Sequence, residues 1–269
     1  MIDIHSHILY GIDDGAKNEE MTLSMLRIAA QEGLLHIVAT PHFIYGANRY
    51  RMETLKARFD EIRELIKENK LDIRIYEGNE LFLDEYLREC LGNKQCNTLA
   101  GTRYVLVELP VVGFPKNTEN LLSGLLSDGY VPVLAHVERY DEVQKNPDVL
   151  QRFIELGCLA QLNCTSITGL AGKKEQETAK LLLQCNMGHL AASDSHSNRR
   201  RAPRMKEAYN TVIGWLGEER ARRIFNINPE CILKNSMMEL DKPVEAGKKR
   251  FFIYSIAKFF ANGGQKVAK

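Results

Sequence analysis

Histidine and carboxylate side chains recur along this 269-residue chain at places where strands are expected to end. His5-Ser6-His7 lies near the beginning, and Asp194-Ser195-His196 lies toward the end. Four more such residues lie between these motifs, each just after a short apolar run: His42, Glu80, Glu108 and His136. Side chains of these types are costly to gather in one place unless cations neutralise them. The pattern therefore predicts a metal cluster, and metal-assisted hydrolysis as its chemistry.

The spacing of the first motif places two imidazoles on one side of a strand. Side chains alternate between the faces of a strand, so His5 and His7 point the same way and Ser6 points away. Two imidazoles in this arrangement can hold one Zn, Mn or Fe ion. Such a pair also arises by chance among core or surface histidines, so the prediction depends on the whole set.

The carboxylates near the set need separate arguments. Glu108 ends an apolar strand just before Pro110, where an acid needs a partner such as a cation. In the loop Asp13-Asp14-Gly15, a turn or the N-cap region of the next helix accounts for Asp13, whereas Asp14 could reach the cluster. Together with the histidines, the acids make nine candidate ligands, too many for one ion and adequate for two or three.

Two arginines are candidates for binding a phosphate next to the metals. Arg139 follows His136 by three residues, and Arg201 lies in an arginine-rich run just past His196. A guanidinium can hold phosphate oxygens in a bidentate manner and stabilise charge in the transition state. The other arginines of the run are expected to form a solvated loop face.

The remaining reactive residues narrow the chemistry. None of the six cysteines has an arginine six residues later, and no Gly-x-Ser-x-Gly motif occurs, so neither a thiolate phosphatase nor a serine hydrolase is indicated. His36 and His189 begin predicted strands, at the opposite end from the other five histidines. Both are therefore interpreted as structural.

Short apolar runs alternate with amphipathic segments, which indicates an α/β protein. Strands are predicted at 2–4, 36–40, 72–77, 103–109, 131–135, 158–163 and 189–193, and helices at 18–33, 49–70, 81–91, 117–128, 146–157, 173–187 and 203–215. About seven such units suggest a closed or nearly closed parallel barrel, with an open doubly wound sheet as the alternative. In a barrel, the carboxyl ends of the strands share one face, where the metal site is expected.

Composition limits the other function classes. Hydrophobic residues make up 44% and charged residues 26% of the chain, and the net charge of +1 gives no reason to expect nucleic acid as a partner. No apolar run approaches the length of a membrane span, and the first strand begins too early to leave room for a signal peptide. Scattered cysteines without a Cys-x-x-Cys pair favour reduced thiols in a cytoplasmic protein.

The C-terminal segment differs in character from the rest. Residues 1–240 are predicted to form the barrel domain, and residues 241–269 a separate tail that is basic and rich in aromatic residues. Read as a helix, the tail would present a broad aromatic face. A final helix packed on the barrel and a segment that contacts the membrane surface or a partner remain equally open.

The motifs resemble those of the polymerase and histidinol phosphatase (PHP) superfamily. More specifically, the chain resembles the bacterial CpsB/CapC-type manganese-dependent protein tyrosine phosphatases of capsule and exopolysaccharide operons. The resemblance extends from Met1 to about Leu233. The matching stretches are 2–9, 11–15, 39–42, 78–80, 107–110, 135–140 and 192–196. The superfamily shares His-x-His and Asp-x-His, whereas Ile12-Asp13-Asp14-Gly15 together with His136-Val137-Glu138-Arg139-Tyr140 is much more specific.

The resemblance implies a distorted (β/α)7 barrel of the TIM type with a cluster of three metal ions, usually Mn²⁺, with iron or zinc as alternatives. It implies that Glu80 bridges ions and that Arg139 and Arg201 bind and polarise the phosphate. The implied substrate is phosphotyrosine on a cognate bacterial tyrosine kinase. The protein is expected in the cytoplasm, with a peripheral position at the inner face of the membrane and a homo-oligomer both left open. The implied metal ligands are His5, His7, Asp14, His42, Glu80, Glu108, His136, Asp194 and His196.

The expected mechanism is in-line attack on phosphorus by a metal-activated hydroxide. One alternative is a PHP-type phosphoesterase for a small phosphate monoester such as histidinol phosphate, which would differ only in the shape of its pocket. Another is a non-catalytic, metal-bound module that docks a kinase. A structural zinc protein is the least favoured, because a structural site would use four ligands, mostly cysteine.

Overall fold

The computed structural model describes residues 1–47 and 50–245. Its strands are β1 (Ile2–Ser6), β2 (His36–Ala39), β3 (His42–Phe43), β4 (Arg74–Glu77), β5 (Glu80–Phe82), β6 (Tyr104–Glu108), β7 (Val131–Leu134), β8 (Leu159–Asn163) and β9 (Leu190–Ala192). The α-helices are α1 (Glu19–Gln31), α2 (Met52–Glu68), α3 (Leu87–Gly92), α4 (Thr118–Ser127), α5 (Asp141–Lys145), α6 (Asp148–Leu156), α7 (Cys164–Thr168), α8 (Lys173–Gln184), α9 (Lys206–Leu216), α10 (Glu218–Arg222) and α11 (Asn228–Leu233). Short 3₁₀ turns lie at Leu99–Gly101 and Val137–Arg139, and a π-helical turn lies at Arg223–Ile227.

All strand pairs are parallel, and the strands occupy seven positions around a barrel. β1, β2 and β4 form one run, while β3, β5, β6, β7, β8 and β9 form the other. Breaks at Thr40-Pro41 and at Gly78-Asn79 divide β2 from β3 and β4 from β5, so each pair occupies one position. A Cβ on Gly78 would lie 2.8 Å from Val38 Cγ1, which explains why the second break needs glycine.

Hydrogen bonds between the first and last strand positions close the barrel. The amide of Asp194 donates to the His5 carbonyl at 2.9 Å, and the amide of His7 donates to the Ser195 carbonyl at 2.9 Å. The predicted seven-unit α/β barrel is therefore confirmed, and the open doubly wound sheet is not formed. The two closing contacts also bring the first and last chemical motifs of the sequence side by side.

The core has an inner and an outer part. Ile4, Val38, Leu106 and Val133 belong to one buried cluster, although their strands are not all neighbours in the sheet, so they meet across the barrel interior. The larger cluster packs the outward faces of the strands against the helices and includes Phe59 of α2. Because apolar side chains fill the interior, the barrel is a packed core and the polar residues collect at its carboxyl-end rim.

One predicted helix is wrong in its extent. The segment 81–91 begins as strand β5, and helix α3 covers only Leu87–Gly92. Strand β5 pairs with β6, with Glu80 opposite Leu106, and extends the sheet past the Gly78-Asn79 break. This pairing overrides the local helical pattern. The predicted tail at 241–269 lies largely outside the described residues, which end at 245, and no helix before that point is long and apolar enough to cross a bilayer.

Candidate metal centre

Glu80 lies at the centre of the polar cluster at the carboxyl ends of the strands. Its Oε2 is 3.3 Å from His5 Nε2, 3.2 Å from His7 Nε2 and 3.0 Å from His42 Nδ1. Its Oε1 is 2.9 Å from His136 Nε2. Four imidazoles from three strand positions thus surround one carboxylate that is 1% exposed.

The other acids extend this cluster on both sides. Glu108 lies 3.4 Å from His136 Nε2 and 3.8 Å from His42 Nδ1. Asp194 Oδ1 lies 3.5 Å from His5 Nε2. On the outer side, Asp14 Oδ1 is 3.4 Å from His196 Nε2 and 3.6 Å from His42 Nε2. All nine residues that the sequence suggested as ligands therefore gather at one rim.

Three subsets have ligand atoms close enough together to share an ion. They are His7 with Asp14, His42 and His196; His5 with His7 and Glu80; and His42 with Glu80 and Glu108. His136 and Asp194 fall outside these subsets and contact their members. Ligands about 2.0–2.2 Å from one ion lie roughly 3–3.5 Å from one another, which is close to the separations seen here. Mixed imidazole and carboxylate donors suit Mn²⁺, Fe²⁺ or Zn²⁺.

The two imidazoles of the first motif show most directly that a cation fits. The Nδ1 of His5 lies 3.0 Å from Gln161 Oε1, an acceptor, and the Nδ1 of His7 lies 2.6 Å from a carboxylate oxygen of Asp13. If both rings are neutral, each Nδ1 carries the proton and each Nε2 carries a lone pair. Those Nε2 atoms face each other at 3.2 Å. Two lone pairs at this distance require a proton or a cation beside them.

Strand β8 contributes two residues that were missed from the sequence. Gln161 Oε1 accepts from the His136 amide at 3.1 Å as well as from His5, and its Nε2 donates to Asn163 Oδ1 at 2.9 Å. Asn163 Nδ2 in turn donates to Asp194 Oδ2 at 2.7 Å. Both amides are buried. Alternation of polar and apolar residues in Ala160-Gln161-Leu162-Asn163, inside a strand expected to be buried, is the signal that could have found them.

Asp13 forms the predicted turn, but it does not cap helix α1 and it makes further contacts at the cluster. The helix α1 is capped by Asn18, whose side chain accepts from the Met21 amide at 2.9 Å. Asp13 accepts from the Gly15 amide at 2.9 Å, as in the predicted turn, and from the His42 amide at 3.1 Å. With its contact to His7, it orients two of the candidate ligands. Metal-binding histidines commonly donate their second ring N–H to a carboxylate in this way.

Two residues of the cluster have left-handed backbones. His136 has φ 34° and Asp194 has φ 49°, a region that non-glycine residues seldom adopt. The Gln161 side chain holds the first amide, and the His5 carbonyl holds the second. Strained backbone of this kind is found where the surrounding structure must aim a functional side chain.

The electrostatics show how strongly the groups depend on one another. Burial would raise the pKa of Glu80, but His5, His136 and His42 hold it well below its usual value. Burial would lower the pKa of His136, but Glu108 and Glu80 raise it to about 10. Carboxylates that hold a proton this tightly on an imidazole also attract a metal cation to the same nitrogen. The cation and the proton then compete for that nitrogen.

Both predicted arginines reach this cluster from the solvent side. Arg201 Nη2 lies 2.9 Å from Asp194 Oδ2, and Arg139 Nη1 lies 3.6 Å from the same oxygen. Their side chains are 42% and 39% exposed. They border a cavity of about 470 Å³ that leads to Asp194. A guanidinium pair at the open side of an acidic cluster is placed to meet an incoming anion.

A second cavity, of about 540 Å³, opens on the other side of the cluster. Asp14, His42 and Glu108 form its polar part, and Ile12, Ile44 and Tyr50 form its apolar part. The candidate centre is thus approached through a basic cavity and a mixed cavity, in which carboxylates and His42 lie beside apolar side chains. An anion attached to a ring could place its charge between them and its ring against apolar atoms.

Most of the chain matches a known protein family. Residues 1–234 match the family model described as capsular polysaccharide synthesis, CpsB/CapC. The chain belongs to the CpsB/CapC family. This confirms the resemblance seen in the sequence motifs, and the match ends near Leu233, where the resemblance was expected to end.

Curated members of the CpsB/CapC family are similar over nearly their whole length. The tyrosine-protein phosphatase YwqE of Bacillus subtilis (strain 168) is 29% identical over 252 residues, covering 94% of this chain and 99% of its own. The tyrosine-protein phosphatase CpsB of Streptococcus pneumoniae is 32% identical over 243 residues, covering 88% and 100%.

Solved structures agree with this classification. A crystal structure from work on YwqE of Bacillus subtilis and CpsB of Streptococcus pneumoniae, described as metal-dependent tyrosine phosphatases, superposes with a TM-score of 0.87 at 30% identity, covering 91% of this chain and 99% of that one. A phosphotriesterase homology protein of Escherichia coli superposes with a TM-score of 0.53 at 9% identity, covering 84% and 96%. The second likeness shows only that the barrel fold is shared.

Proposed function

We propose that this CpsB/CapC protein is a metal-dependent protein-tyrosine phosphatase. The observation that carries the proposal is the gathering of five histidines and four carboxylates at one rim, with two arginines on its open side. Relatives that align end to end with this chain are named tyrosine-protein phosphatases. Cysteine chemistry does not fit, since burial raises the pKa of the Cys96 and Cys158 thiols to about 12.

The proposed metal ligands are the nine residues of the cluster, with Glu80 placed to bridge ions. Support comes from the three overlapping ligand subsets, which would accommodate three ions, and from the donor types, which favour Mn²⁺ with iron or zinc as alternatives. When bound, such ions would supply a water molecule of lowered pKa as the nucleophile and would neutralise charge on the phosphoryl oxygens. The ligands are His5, His7, Asp14, His42, Glu80, Glu108, His136, Asp194 and His196.

The protein's own residues bind and orient the substrate. We assign Arg139 and Arg201 to the phosphoryl oxygens, because both guanidinium groups already pair with Asp194, an anion at the position that the phosphate would approach. Charge that develops on those oxygens in the transition state would strengthen these contacts. The leaving phenolate is a weak base, so it needs little help from a general acid.

The biological setting follows from the family rather than from the geometry. The family description links the chain to capsular polysaccharide synthesis, and we propose a cognate bacterial tyrosine kinase as the phosphotyrosine protein that it acts on. A cytoplasmic location agrees with six free cysteines, five of them buried. Residues 1–240 are proposed as the catalytic unit, since α11 ends at Leu233.

Metal analysis combined with turnover assays tests this function. The purified protein should contain bound Mn, Fe or Zn, and its hydrolysis of p-nitrophenyl phosphate should disappear with chelator and return with Mn²⁺. A phosphotyrosine peptide should be hydrolysed with a far higher kcat/KM than histidinol phosphate. The reverse preference would assign a small-molecule phosphoesterase, and no turnover of any aryl phosphate with Mn²⁺ would leave a non-catalytic module.

A further inference from the structure

Exposed apolar side chains are concentrated around the mouth of the metal centre. Among the described residues, six large apolar side chains that are more than a third exposed lie in loops that follow strand carboxyl ends. We call this set the rim surface. Its members are Ile44, Tyr45, Tyr86, Val111, Val112 and Leu170, with Tyr45 50%, Tyr86 44% and Val112 69% exposed. Clustered apolar exposure of this kind marks interaction sites more often than isolated exposed residues do.

The rim surface contains a preformed aromatic pair. The rings of Tyr45 and Tyr86 are stacked, with centroids 4.5 Å apart and an interplanar angle of 22°. They come from the loops after β3 and β5, which are neighbours in the sheet. A stacked pair offers a large contact area and loses little side-chain entropy on binding, because each ring already restrains the other.

The rim surface continues directly into both cavities of the metal centre. Ile44 lines the mixed cavity together with His42 and Glu108, and Tyr45 is the next residue. On the other side, Val111 and Leu170 line the basic cavity with Arg139. A ligand whose charged group reaches the metal centre would therefore extend across these residues if it were longer than a single side chain.

We propose that the rim surface binds the peptide segments on both sides of the phosphotyrosine in a protein substrate, with the Tyr45–Tyr86 pair as its main contact. This inference rests on the proposed phosphatase function and states which part of the substrate the protein recognises besides the phosphotyrosine. A small phosphate ester would be held within the cavities and would leave the aromatic pair uncovered. Side chains of an extended peptide would cover it, because successive residues advance about 3.3 Å each.

The test compares a small and a large substrate on the same metal-loaded, full-length protein. In the double variant Tyr45→Ala/Tyr86→Ala, kcat/KM for a phosphotyrosine peptide of about ten residues should fall about tenfold, chiefly through KM, as expected on losing one strong aromatic contact. Turnover of p-nitrophenyl phosphate should not change. The variant Tyr45→Phe/Tyr86→Phe, which keeps both rings, should retain most of the peptide affinity.

Matched controls separate this contact from general surface effects. Leu35 is 48% exposed and lies just before β2, at the opposite end of the barrel, so Leu35→Ala should leave both substrates unaffected. Val112→Ser, on the far side of the rim surface, should weaken the peptide by a smaller factor than loss of the aromatic pair. Thermal melting of each variant checks that the fold is intact.

The outcomes distinguish this proposal from the one on which it rests. If the unmodified protein turns over no aryl phosphate, the phosphatase function fails. If it does, but the alanine variant loses p-nitrophenyl phosphate and peptide turnover equally, or loses neither, the rim surface does not bind substrate. A shift from oligomer to monomer on gel filtration, with peptide KM unchanged, would show that a second copy of the chain covers the surface instead.

Discussion

Two completely buried histidines at opposite ends of the barrel differ in pKa by several units. His136, at the carboxyl ends of the strands, has its pKa raised to about 10 by Glu108 and Glu80 despite its burial. His189, just before β9 at the other end, has its pKa lowered to about 4 by burial. Its Nδ1 accepts a hydrogen bond from the Ala160 amide at 3.0 Å, and the charged group that acts on it is Arg220, which lowers its pKa further.

The difference shows that position in the topology, rather than residue type, decides what a buried histidine does. At the amino-terminal end, the imidazoles contact backbone and neutral groups, as in the 3.0 Å contact of His36 Nδ1 with the Tyr76 hydroxyl. His189 Nε2 has no hydrogen-bond partner among the described residues. At the carboxyl end, the loops bring carboxylates against them. The contrast is therefore between buried imidazoles with and without a carboxylate partner. Each prediction below would weaken or sharpen this contrast.

The largest effect is expected from removing a histidine at the charged end. His136→Ala should lower kcat for p-nitrophenyl phosphate by about a thousandfold or more and reduce the bound metal, because the ions supply the nucleophile and neutralise the phosphate. His189→Asn keeps an acceptor for the Ala160 amide and should leave kcat and metal content unchanged. Near-normal turnover in His136→Ala would remove the assignment of the site.

A somewhat smaller loss is expected at the arginines. Arg201→Ala should lower kcat/KM about 10²–10³-fold, the usual result of losing one donor to transition-state charge. Its metal content should stay the same, since Arg201 contacts Asp194 from outside the ligand set. Arg199→Ala, an exposed neighbour in the same run, is the matched control. Equal losses in the two variants would indicate a general effect of positive charge rather than a specific phosphate contact.

The sequence located the candidate ligands better than it located their supports. Candidate ligands such as His42 and His136 follow apolar runs, and the parallel topology then brings all strand ends together, so a correct fold was enough to gather them. Gln161 and Asp13 escaped because an amide in a strand and an acid in a turn each have an ordinary local explanation. Their roles depend on contacts with residues far away in the chain, such as Gln161 with His5, which no local pattern encodes.

The support from β8 gives the next prediction. Gln161→Leu removes the acceptor that fixes His5 and the His136 amide, so Mn²⁺ affinity should fall about 10–100-fold in calorimetric titration. Gln161→Glu keeps that acceptor, loses the donor to Asn163 and adds a negative charge beside His5, so its loss of metal affinity should be smaller. Unchanged metal affinity in Gln161→Leu would mean that the backbone alone positions the ligands.

The smallest effect concerns the contribution of His189, at the amino-terminal end of the strands, to the stability of the fold. The unfolded chain protonates His189 near its ordinary pKa of about 6.5, whereas the folded chain does so only near pH 4. Acidification from pH 7 to 5.5 therefore favours the unfolded state, and this contribution returns as the pH rises through 6.5. By linkage it amounts to about 1 kcal/mol over that interval.

The variant His189→Asn isolates this contribution, because every other titrating group is common to both proteins. The free energy of unfolding of the unmodified protein, measured with urea, should fall relative to that of His189→Asn by about 1 kcal/mol between pH 7 and 5.5. A parallel pH dependence in the two proteins would mean that His189 gains a proton as easily folded as unfolded. In that case the surroundings of His189 would not hold its imidazole neutral, and the contrast with His136 would lose one of its two sides.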